Sequence, residues 1–70
     1  MKTKIFPEIL AQMEKKGESV KDLAELLHLD VSQIYRKLNG EVAWTFGDAM
    51  TMTQHYDMGL WELFRKENEE

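Results

Sequence analysis

The stretch "SVKDLAELLHLDVSQIYRKLNG", Ser19 to Gly40, holds two short apolar-periodic segments with only His28-Leu29-Asp30 between them. Ser19 offers an N-cap hydroxyl, and Asp22 three residues later forms a capping box with Asp in place of Glu. Leu23, Ala24, Leu26 and Leu27 then supply an apolar face. Asp30 opens the second segment as its cap, with Gln33 as polar partner at the third position, and Asn39-Gly40 stops it. On a helical wheel Val31, Ile34 and Leu38 fall on one side and are expected to face a core. Ser32, Gln33, Arg36 and Asn39 lie opposite, with Tyr35 and Lys37 on the flanks. So tight a connection forces a sharp crossing and leaves the second segment projecting from the body. Its outward surface carries two cations, several hydrogen-bonding groups and no acid. Arg pairs with guanine and Gln with adenine in a DNA major groove, so this face is suited to reading bases.

The flanking sequence predicts three more helices. Pro7 suits a first helical turn, and Ile5, Ile9 and Met13 follow at a spacing of four, with Phe6 and Leu10 beside them, until Gly17 ends the run. Thr45 with Asp48 repeats the capping device for a helix through Phe46, Ala49, Met50 and Thr53. Gly59 can cap a last helix holding Leu60, Leu63 and Phe64. No segment sustains strand alternation, so the fold class is all-α with five helices. Seventy residues allow one domain, 1–66, with 67–70 as an acidic, disordered tail. A chain this short buries only about 60% of its unfolded surface, so each large apolar residue counts. Trp61 and Phe64 are expected in the core, Trp44 is expected exposed in a loop, and Met50, Met52 and Met58 are expected to fill gaps.

Net charge is −4, unevenly spread. Residues 1–16 carry +2 and 17–30 carry −3; 31–40, with Arg36 and Lys37 and no acid, return to +2, and 41–61 and 62–70 carry −3 and −2. Blocks of this kind imply that one face is kept basic. There is no Cys, hence no disulfide and no thiolate metal site, which fits a reducing cytoplasm. No apolar run is long enough to span a membrane, and "MKTKIF" meets Pro7 and Glu8 before a signal-peptide core develops. The two histidines, His28 and His55, have no third ligand at metal-like spacing, and Ser19 and Ser32 have no paired histidine. No glycine-rich phosphate loop is present. A non-enzyme without metal or cofactor is expected.

The quoted 22 residues, Ser19 to Gly40, resemble without gaps the helix-turn-helix of the Cro/CI (XRE-type) repressor family. Ala24 stands at the family's small crossing residue, Ile34 at its buried aliphatic, and Asn39-Gly40 at its helix stop. "RKLNG" is similar to small phage-encoded members, and "WTFGDAMTMTQHYDMGLWELF" to the family's last two helices. The resemblance covers roughly residues 5–65 and implies a compact five-helix, lambda-repressor-like DNA-binding domain. It implies base reading at Val31, Ser32 and Arg36, with Gln33 and Tyr35 bordering. It places phosphate contacts at Ser19, Val20 and the segment after Asn39; Lys37 and Asn39 are the expected backbone contacts. The chain departs from the pattern at Val20, which cannot hydrogen-bond a phosphate, and at His28, where the family's turn has Gly. Asp30 and Glu41 put carboxylates near the phosphate path.

The resulting expectation is a cytoplasmic phage- or prophage-type transcriptional regulator. It would bind double-stranded DNA weakly as a monomer and pair through the last helix, around Leu60 to Phe64. A different class stays open: a protein-binding helix-turn-helix module, anti-repressor-like, that meets a partner repressor. The acidity and the aromatic residues Tyr35, Trp44 and Trp61 favour that alternative.

Overall fold

A computed structural model describes residues 5–66. Five helices follow one another: α1 (Pro7–Lys16), α2 (Val20–Leu27), α3 (Val31–Leu38), α4 (Phe46–Tyr56) and α5 (Leu60–Leu63). No strand occurs among the described residues, and no helix there is long and apolar enough to cross a membrane. Lys2, Lys4 and the acidic tail 67–70 lie outside the described residues.

Local chemistry sets the helix ends. Ser19 and Thr45 each close a full capping box: the hydroxyl accepts from the backbone N–H of Asp22 or Asp48, whose carboxylate accepts the cap's own N–H. Asp30 occupies the N-cap position of α3, but its side chain makes no cap hydrogen bond, so that start is held by backbone and packing. Four helices end alike, on a left-handed residue: Gly17, His28, Gly40 and Asp57. The following N–H then reaches back five residues, from Glu18 to the Met13 carbonyl (2.8 Å), Leu29 to Ala24 (2.9 Å), Glu41 to Arg36 (2.9 Å) and Met58 to Thr53 (3.1 Å). His28 therefore keeps the backbone path of a glycine, at φ 60° and ψ 44°.

Each helix sends one side chain to near-complete burial: Ile9, Leu23, Ile34, Met52 and Leu63. Around them pack Phe6, Met13, Ala24, Leu27, Leu38 and Tyr56. At one end Phe6, Trp44 and Phe64 meet edge to face, with ring centroids 6.1, 6.3 and 5.7 Å apart.

Four packing expectations are corrected. Trp44 is drawn inward by Phe6 and Phe64, whereas Trp61 is 86% exposed. The reason is α5's single turn: Leu63 takes the inward position, and a residue two places before it points nearly the opposite way. Val31, assigned to the core side, is 39% exposed. Among the methionines Met52 is fully buried and Met58 packs on the core, but Met50 faces solvent.

A polar clasp joins distant parts of the chain. Tyr56 Oη donates to Glu18 Oε1 at 2.8 Å, and Glu18 Oε2 lies 2.5 Å from His55 Nε2. Glu18 immediately precedes the α2 cap, so the end of α4 is fastened to the start of the two-helix unit. Burial, aided by the Glu18 carboxylate, raises the Tyr56 phenol well above its ordinary value and keeps it a donor.

Candidate nucleic-acid interface

α3 packs chiefly on α2, across the turn His28-Leu29-Asp30. Ile34 and Leu38 are buried, which leaves Val31, Ser32, Gln33, Tyr35, Arg36 and Asn39 at the surface. This exposed face contains no acid. Among the described residues no carboxylate pairs with Arg36, so its guanidinium is available to a ligand.

Lys37 is the correction here. It was assigned to the flank of the helix and to phosphate contact, yet it is only 3% exposed. Its ammonium pairs with Asp48 Oδ2 at 2.8 Å, donates to the Ala43 carbonyl at 3.2 Å and lies 5.7 Å from the Trp44 ring centroid. Burial pushes the Asp48 carboxyl up, but the bonds from Lys37 and from the Thr45 backbone outweigh it and hold the group below its ordinary value. The pair locks the end of α3 to the start of α4. It also removes one of the two positive charges counted for residues 31–40, leaving Arg36.

The spacing alone allows either outcome: Lys37 follows Ile34 by three and Val31 precedes it by three, so each can stack beside that buried side chain. The buried sector of α3 is rotated toward Ile34 and Lys37, which is what leaves Val31 at the rim. The clasp of Glu18, His55 and Tyr56 had no local signature, because its members are 37 and 38 residues apart.

Ser19 is exposed at the α2 start, but its N–H and hydroxyl are both engaged by Asp22. A phosphate arriving there meets a carboxylate. Asp30 and Glu41, both exposed, stand just before and just after α3.

Two short helices joined by a three-residue turn, the second presenting a polar, acid-free face, define a helix-turn-helix module within a small helical domain. The chain belongs to the BetR domain family, whose model matches residues 5–70. No curated protein and no solved structure matches it.

Proposed function

We propose that this chain is a non-enzymatic, intracellular DNA-binding transcriptional regulator, of phage or prophage repressor type, that reads the major groove with α3. The observation that carries this reading is the acid-free exposed face of α3, with Arg36 unpaired among the described residues. Arg36 is assigned to guanine, Gln33 to adenine and Ser32 to either base. The exposure of Val31 supports its assignment to a thymine methyl. Asn39 and Tyr35 border the backbone. Phosphate neutralisation supplies most non-specific affinity, and here one cation on α3 works against Asp22, Asp30 and Glu41. Affinity is therefore low and steeply salt-dependent for one copy, and higher where two copies occupy half-sites one DNA turn apart.

The test is a titration of the chain against a randomised duplex pool, then against the enriched sequence, at about 50 and 200 mM salt. Enrichment of a defined motif at low salt, lost on Arg36→Ala, is the expected result. A folded chain that enriches nothing at low salt sinks the reading. In its place would stand the protein-binding alternative, favoured by one observation: Lys37 is spent on Asp48 inside the fold. In that case Arg36→Ala weakens binding of a partner repressor instead.

A further inference from the structure

Apart from the α3 face, the surface holds a cleft of about 610 Å³ among Val42, Trp44, Leu60, Trp61 and Phe64. Trp61 is 86% exposed beside it, and Val42 and Leu60 are each 41% exposed. Large apolar groups left in water around a concavity mark a place where another molecule sits. They are conspicuous in a domain this short of core.

Size selects the occupant. A tryptophan ring offers roughly 200 Å², so with two partly exposed aliphatics the apolar rim comes to on the order of 300–400 Å². Each side of a standard stable interface contributes about 800 Å². The patch is thus undersized for two copies of this chain meeting on it alone, which is the pairing the last helix suggested by its apolar excess. A small molecule filling the cleft would leave the outer face of Trp61 wet. The described residues contain no strand, so no sheet edge can take an extended peptide by main-chain bonds. A single amphipathic helix meets both requirements: its anchors enter the cleft and its flank covers the indole. Two exposed lining residues of opposite sign, Glu41 and Lys66, set its polarity.

We infer that this cleft docks an amphipathic helical segment of a partner protein, its apolar stripe against Trp61 between Val42 and Leu60, with an acidic residue toward Lys66 and a basic one toward Glu41. The cleft shares Glu41 with the segment that follows α3 but takes in none of Ser32, Gln33 and Arg36, so the inference does not depend on the DNA reading and the two are told apart by Trp61→Ala and Arg36→Ala.

The probe is a synthetic helical peptide of about 14 residues with apolar anchors at i, i+4 and i+7, Glu near one end and Lys near the other. It is titrated into the whole isotope-labelled chain by NMR. Saturable shifts at Val42, Trp44 and the Trp61 indole are expected. Trp61→Ala, which touches no core position, should weaken binding at least about tenfold. Lys66→Glu should weaken it severalfold, and exchanging the peptide's Glu for Lys should restore it. Three results would each overturn the inference: no saturable shift, equal binding of a scrambled peptide, or tighter binding of free indole than of the peptide. So would sedimentation showing self-association that shields the Trp61 indole.

Discussion

Lys37 shows how one side chain can change roles without changing its place on a helix. Taking two charges out of water is costly, and their attraction repays it only with good geometry. Here the ammonium has a carboxylate, a carbonyl and an aromatic face around it. Removing one partner strands the other. Lys37→Met should cost about 2–3 kcal/mol in urea unfolding, less than a fully buried pair because Asp48 keeps some solvent. Adding Asp48→Asn to it should recover most of that. The same double variant, having lost no phosphate contact, should leave the slope of log K against log salt for DNA unchanged, whereas Arg36→Ala, which removes a base contact, should weaken binding of the preferred sequence by about 1–3 kcal/mol and relax specificity at one position. A slope loss of about 0.9 in the double variant would return Lys37 to the DNA surface.

Acid should act through the same pair. The folded-state value of Asp48 is depressed, so its contribution is present above the unfolded value and lost as pH falls through the folded one. Stability should therefore decline as pH drops below about 4. Asp48→Asn, less stable at neutral pH, should show a shallower decline, measured by urea midpoints across that range.

At the level of helices, a single ending device recurs at Gly17, His28, Gly40 and Asp57, and only two of the four are glycine. A left-handed backbone with a Cβ costs roughly 1 kcal/mol. His28→Gly should raise stability by about 0.5–1 kcal/mol, seen as a melting-temperature increase of several degrees in a domain this size. No increase would mean that the imidazole makes a compensating contact. The clasp on Glu18 gives a second prediction. Tyr56→Phe removes one hydrogen bond to a carboxylate and should cost about 1.5–3 kcal/mol. Because the folded phenol titrates above its unfolded value, the wild-type chain holds this contribution below pH about 10 and loses it as pH rises further. The Phe variant should lack that alkaline loss in a melting series.

For the molecule as a whole, the charge pattern is the governing constraint. A total of −4 gives DNA no long-range attraction, and the interior ion pair leaves α3 with one outward cation. One copy on one half-site should bind weakly. A duplex with two half-sites about one turn apart should bind more tightly than a single-site duplex of equal length. Anisotropy titrations of the two duplexes check this, and indistinguishable midpoints would argue that copies act alone.

How much of this was legible beforehand follows from the range of the interactions. Helix starts at Ser19 and Thr45, stops at Gly17 and Gly40, and the inward placement of Leu23, Ile34 and Leu63 all depend on residues three to five apart, so the amino-acid order carries them. Ser32, Gln33 and Arg36 on the outer face of α3 follow from that same periodicity. What periodicity leaves undetermined is how far the buried sector of a helix rotates: Val31 and Lys37 each stand three residues from Ile34, on opposite sides of it, and hydrophobicity alone favours Val31. Lys37 went in because Asp48, eleven residues on, came within reach, and Val31 was turned to the rim as a result. Trp44 turned inward because Phe6 and Phe64, far apart in the chain, both meet its ring, while Trp61 faces out because Leu63 holds the inward position of α5's one turn. Contacts across such separations are settled by the packing of the assembled helices.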